Sequence, residues 1–236
     1  HHWERLMSEL HLVRHAQASF GSDNYDQLSD LGHRQSRLLG GHFKLRNVTF
    51  DRFIVGDMHR HHQTMNGISE GMGIDSSQRV VLPGLNEYNF VELTEAYGKT
   101  YGDNPLFQKA MEDSTDKRNF YRLLRQMLTA WTSDSIPEVA ETWLQFKSRV
   151  EDAQNQIKAM AETGDNILAI GSGGSISTFV GLVLGIPDES VFDLNLQYKN
   201  TAITHFFFNQ KKMTLTGFNN ITHFDNNEME KYITYG

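Results

Sequence analysis

Residues 166–184, NILAIGSGGSISTFVGLVL, constrain the fold more than any other stretch of the chain. NILAIG has strand character, a glycine turn follows it, and the apolar run SISTFVGLVLG reads as a helix. A strand that passes through a short turn straight into a helix is one βα unit. Such units stack into parallel sheets covered by helices.

Similar units lie nearer the start. ELHLV, with Leu10, Leu12 and Val13, reads as a strand that ends in the polar loop RHAQASFGSDNYDQ. Ser29 or Asp30 can cap the next helix, whose apolar positions are Leu31, Leu38, Leu39 and Phe43. RFIV is a second strand, and Met65, Ile68 and Met72 mark a helix that stops at Gly73. RVVLPGL gives a third strand.

From about residue 89 to 164 the pattern is helical. Phe120, Leu124, Met127, Leu128 and Trp131 share one face. A longer helix is expected after Pro137, with the stripe Val139, Trp143, Phe146, Val150, Ala153, Ile157 and Met160. TAITHFFFN and KMTLTGF then form a hairpin around Gln210-Lys211. The order predicts an α/β three-layer sandwich with a mostly parallel central sheet. One domain spans 7–236, with 88–163 inserted as a helical cap. Residues 1–6 begin with two histidines and read as the end of an expression tag.

Composition limits the partners. The 236 residues carry a formal charge of -7, which argues against nucleic acid and anionic membrane surfaces. There is no cysteine, hence no disulfide, no thiolate metal site and no cysteine nucleophile. With no signal-peptide pattern and no apolar run of spanning length, a cytoplasmic protein is expected.

In a parallel sheet the functional site lies beyond the carboxyl ends of the strands. Arg14-His15, the turn GDMHRHHQTM and Gly171-Ser172-Gly173-Gly174 all fall at that edge. Arg14 and Arg60 can point into one crevice, where two guanidiniums suit a tetrahedral dianion such as a phosphoryl group. His15 between them is then a nucleophile. Glu87, in LPGLNEY, could protonate a leaving oxygen and later deprotonate water.

These segments resemble the histidine phosphatase superfamily, the phosphoglycerate mutase-like fold. LVRHAQAS is similar to its Leu-Val-Arg-His-Gly motif, with Ala16 in place of glycine. DQLSDLGHRQSRLLG is similar to its Leu-Ser/Thr-x-x-Gly-x-x-Gln pattern. GDMHRHHQTM is similar to Ser-x-Leu-x-Arg-Ala-x-Gln-Thr, keeping Arg60, Gln63 and Thr64 but with Gly56 for serine. LPGLNE and LAIGSGGSIS resemble the remaining site motifs.

The resemblance implies His15 as the phosphorylated nucleophile, Glu87 as general acid and base, and Arg14, Arg60, Gln17, Ser172 and Gly173 around the phosphate. It implies no metal and no cofactor. The ligand is a small phosphorylated substrate or inorganic phosphate.

One position departs. The family's last motif reads Ser/Thr-His-Gly-Gly, and Ser172 stands where that second catalytic histidine is usual. Losing one preorganised donor of this kind costs on the order of 2–4 kcal/mol in the transition state, roughly 100-fold to 1000-fold in rate. The opening of the next helix at Gly173-Gly174 can still hold an anion. A phosphatase of reduced efficiency is therefore the leading expectation. A phospholigand-binding pseudoenzyme comes next, then a phosphoglycerate mutase-type phosphotransferase. His205 and His223 read as structural. HRHH lacks a third ligand for zinc and GSGG lacks dinucleotide-loop spacing, so neither motif carries a metal or nucleotide reading. An edge strand near 201–218 could pair with a second copy to give a homodimer.

Overall fold

β1 (Ser8–Arg14) lies inside the sheet, although it is the first strand of the described residues, and its partners come from much later in the sequence. The computed structural model describes residues 7–19 and 25–236; the proposed tag residues lie outside the described residues. After β1 come α1 (Asp30–Leu45), β2 (Arg52–Val55), α2 (His59–Met72) and β3 (Val80–Val81). Four helices follow: α3 (Phe90–Tyr101), α4 (Pro105–Glu112), α5 (Lys117–Thr132) and α6 (Trp143–Met160). The chain then returns to the sheet through β4 (Asn166–Gly171), α7 (Gly173–Leu184), α8 (Asp188–Gln197), β5 (Ile203–Phe208) and β6 (Met213–Asn220).

The sheet order is β3-β2-β4-β1-β5-β6. β3, β2, β4 and β1 run parallel, while β5 and β6 are antiparallel additions, so the sheet is mostly parallel as expected. Helices cover both faces. Val13, Val55, Leu168 and Ile170 pack against Leu39, Phe43, Met65 and Ile68 of α1 and α2. Leu10, Leu12, Ile54, Ile167 and Ala169 face the other way, into a larger core shared with the helices from α3 onward. β4 therefore places alternate apolar residues in two cores, which is why its run is apolar throughout. Among the described residues no helix is long and apolar enough to cross a membrane.

Two local expectations shift. The long helix expected after Pro137 begins at Trp143 instead. Thr142 accepts from the Gln145 N–H at 3.2 Å and the Gln145 side chain accepts from the Thr142 N–H at 2.8 Å, a capping box stronger than the proline signal. Val139 is thus outside the helix. The third strand shrinks to Val80–Val81, because Pro83 opens a 3₁₀ turn over Pro83–Leu85. β5 is an interior strand, leaving β6 as the edge of that hairpin.

Candidate active site

The N–H of His15 donates to the Gly171 carbonyl at 2.9 Å, extending the β1–β4 ladder one step past the strand. That bond fixes the backbone from which the imidazole projects. Nδ1 of His15 lies 2.7 Å from the Ala16 carbonyl oxygen. A carbonyl can only accept, so Nδ1 carries the hydrogen and Nε2 keeps its lone pair. Nε2 receives the Nε–H of Arg60 at 3.3 Å. The ring is 3% exposed. Burial, reinforced by Arg60 and Arg14, holds its pKa well below the ordinary histidine value. At neutral pH it is an uncharged imidazole whose Nε2 lone pair is met by the Arg60 N–H.

A chain of polar contacts supports this loop from below. Asn200 Nδ2 donates to the His15 carbonyl at 3.0 Å, and Asn200 Oδ1 accepts from the Thr234 hydroxyl at 2.8 Å. Gln35 Nε2 donates to the same hydroxyl at 2.8 Å, and its Oε1 accepts from the Gln17 N–H at 2.9 Å. The C-terminal segment is thereby part of the foundation of the site.

Arg60 is the second residue of α2. Asp26 accepts from the N–H groups of His59 (3.0 Å) and Arg60 (3.1 Å) and from the Arg60 guanidinium (3.1 Å). One carboxylate thus caps the helix and aims the arginine. Arg14 donates to the carbonyls of Tyr198 and Tyr235, while its Nε is buried without a hydrogen-bond partner among the described residues. An unpaired buried guanidinium N–H is expensive unless an anion meets it. Gly173 opens α7 against this group: a Cβ there would lie 3.4 Å from the Arg14 guanidinium carbon.

Glu87 closes the other side. Its Oε2 accepts from the Gly174 N–H at 3.0 Å and its Oε1 from the Tyr88 N–H at 3.2 Å. Burial pushes the carboxyl pKa up, against the opposing pull of Gly174, Arg60 and Arg14. Arg149 of α6 holds the Glu87 segment, donating to the carbonyls of Gly84 (3.0 Å), Asn86 (2.8 Å) and Glu87 (3.2 Å).

His15, Arg14, Arg60, Glu87, Ser172 and Gly173 are therefore brought to one sheet edge. Gln17 shares the loop, but its amide oxygen accepts from the Ser29 hydroxyl at 2.8 Å and is turned towards the start of α1. Asp26, Asn200 and Arg149 escaped the sequence reading because each acts through contacts distant in sequence.

His61 was missed for a different reason: it belongs to HRHH, which reads as a poor metal motif. It is fully buried, its ring centre is 5.8 Å from that of His15, and its Nε2 lies 2.7 Å from Ser172 Oγ. The signal was present in the motif comparison, where position 61 holds histidine instead of alanine.

Among the described residues, Glu9, His11 and His205 form a group able to hold a metal ion, with ligand atoms within 4.8 Å of one another. It lies within β1 and β5, short of the sheet edge. Within it Glu9 and His205 stand 3.9 Å apart.

A model of the histidine phosphatase superfamily (branch 1) matches residues 10–221. The chain belongs to that superfamily.

Several solved structures share the fold of this histidine phosphatase superfamily member. A phosphoglycerate mutase from Bacillus anthracis str. Sterne is 17% identical, with a TM-score of 0.65 over 94% of this chain and 97% of that one. A phosphoserine phosphatase mutant from Entamoeba histolytica, in complex with phosphoserine, is 18% identical, with a TM-score of 0.63 over 92% and 99%. The alpha-ribazole phosphatase from Shigella flexneri is 20% identical, with a TM-score of 0.58 over 90% and 96%. At such identities the likeness speaks for the fold. No curated protein sequence matches the chain.

Proposed function

We propose that the protein hydrolyses the phosphate monoester of a small metabolite through a phosphohistidine on His15. The observation that carries this reading is the state of His15: a buried neutral imidazole whose Nδ1 is committed to Ala16 and whose Nε2 faces the Arg60 Nε–H at 3.3 Å. Both phosphatases and a mutase occur among the structures that share the fold.

The geometry supports the following chemistry. Arg60 and Arg14 hold the phosphoryl oxygens, with Gly173 at the N-terminus of α7 adding its backbone. Binding withdraws the Arg60 N–H from Nε2 to an oxygen and releases the lone pair. Nε2 then attacks phosphorus, forming the N–P bond as the P–O ester bond breaks. The leaving oxygen takes the proton of Glu87, whose raised pKa lets it hold one. In the second half the Glu87 carboxylate removes a proton from water, the hydroxide attacks phosphorus, and the N–P bond breaks to regenerate His15.

The test is hydrolysis of para-nitrophenyl phosphate at pH 5–8 with EDTA present, comparing the natural sequence with His15→Ala. Turnover that disappears with His15→Ala supports the reading. Equal inertness of both, with inorganic phosphate still bound, would favour the phospholigand-binding pseudoenzyme. A long-lived phosphoprotein formed from a bisphosphorylated sugar acid would favour the mutase.

A further inference from the structure

Among the positions that depart from the motifs quoted above are Gly56 for serine, His61 for alanine and Ser172 for histidine. In the fold these three residues meet. Nε2 of His61 is 2.7 Å from Oγ of Ser172, and both side chains are fully buried. A Cβ on Gly56 would overlap the His61 ring, with Cε1 only 2.6 Å away. The glycine at the end of β2 is thus what admits the imidazole. The β4 turn that lacks the histidine is met at Ser172 by a histidine reaching over from α2.

The hydrogen-bond inventory sets the direction of the contact. Nδ1 of His61 is buried with no hydrogen-bond partner among the described residues. Burying a lone pair unpaired costs less than burying an N–H unpaired, so the hydrogen sits on Nε2 and is donated to Ser172 Oγ. The serine hydroxyl, already an acceptor, keeps its own hydrogen to give elsewhere. Burial, aided by Arg60 and His62, holds the His61 pKa well below the ordinary value, so the ring stays neutral beside the arginine.

We propose that His61 and Ser172 together replace the single histidine of the β4 turn, with His61 as a positioning residue that orients the Ser172 hydroxyl as a donor to the phosphoryl oxygens. The inference rests on the hydrolase reading of this site, and deepens it. It adds no proton transfer: Nε2–H donates to Oγ, the O–H donates to phosphoryl oxygen, and both hydrogens stay in place through the reaction. It also predicts that the missing histidine cannot simply be restored, because the His61 ring already fills the space.

The experiment is a double-mutant cycle on Ser172→Ala and His61→Ala, with His61→Gln, Ser172→His and Ser172→His/His61→Ala. It reads kcat and KM for para-nitrophenyl phosphate and the Kd of inorganic phosphate. Each alanine variant is expected to lose roughly 100-fold in kcat/KM, the scale of one preorganised donor, and the double variant should lose no more than either single one. His61→Gln, whose amide nitrogen can still donate, should recover most of the loss. Ser172→His alone should be inactive or misfolded, and adding His61→Ala should restore turnover and phosphate affinity. Histidine nitrogen NMR should place the His61 hydrogen on Nε2.

Independent, multiplying effects of the two alanine variants would overturn the proposal. So would a folded His61→Ala that keeps both kcat/KM and phosphate Kd within a few-fold. The underlying reading fails separately, if His15→Ala leaves activity unchanged; the phosphate Kd cycle still tests the pair in that case.

Discussion

The carbonyl oxygen of Ala16 sits 2.7 Å from Nδ1 of His15 and leaves only Nε2 available to an electrophile. Phosphorylation should therefore occur on Nε2. Rapid acid-free quenching of a reaction with a fast-reacting aryl phosphate, followed by phosphorus–nitrogen correlation NMR, should show an Nε2-linked phosphohistidine. Its absence in His15→Ala completes the check, and a signal from Nδ1 would contradict the assignment.

Glu87 gives a prediction about the leaving group. As general acid it matters most when the departing oxygen is a strong base. Glu87→Gln should lower the rate for an alkyl phosphate by about 100-fold to 10,000-fold and affect an activated aryl phosphate much less. The pH dependence has a definite sign. The acid must be protonated, and its pKa is raised, so the rate for alkyl phosphates falls as pH rises through that raised value. The nucleophile must be neutral, and its pKa is well below 6.5, so the loss on the acid side lies well below pH 6.5.

Arg149 reaches three carbonyls of the segment that carries Glu87, from a helix on the opposite side of the loop. Arg149→Met retains much of the packing against Phe146, over whose ring the guanidinium lies at 4.4 Å. It removes the donors. Stability should fall by about 1–3 kcal/mol in urea unfolding. kcat for alkyl phosphates should fall further than kcat for aryl phosphates, because the acid is displaced while the nucleophile is not.

His11 and His223 give a prediction about acid. Burial lowers the first to about 4 and the second to about 3, from 6.5. As pH falls through 6.5 the unfolded chain takes up protons that the folded chain refuses. Their contribution is present above pH 6.5 and is lost progressively towards pH 4 and below. The urea midpoint should be nearly flat from pH 8 to 7 and drop between 6.5 and 4. His223→Gln, which keeps a polar partner for Thr201 (3.0 Å from His223 Nε2), should show a shallower drop. An unchanged slope would show that His223 titrates normally in the folded protein.

Much of the sheet edge was legible because it is local. Arg14-His15 directly follows an apolar strand, Ser29 caps α1 through a bond to the Gly32 N–H at 3.0 Å, and Gly173 opens α7 directly after β4. Such features depend on neighbours within a few residues. Trp143 as the start of α6 was obscured because Pro137 offers a competing signal six residues upstream. Asn200 and Arg149 had no local signal, since an asparagine under a loop and an arginine on a helix look like ordinary surface residues until the chain closes. His61 lies between these cases. Its departure from alanine was visible, but its meaning required Gly56 and Ser172 to be placed beside it.

The place of β1 in the sheet has a consequence for synthesis. Glu9 pairs with Asn166 on one side and with Phe207 on the other. A chain emerging from the ribosome presents this apolar strand with both edges unpaired, and supplies its neighbours only after the intervening elements from α1 to α6. Non-local pairing of this kind slows folding and leaves a sticky segment exposed in the meantime. Arg14 and His15 are made long before the strands that seat them.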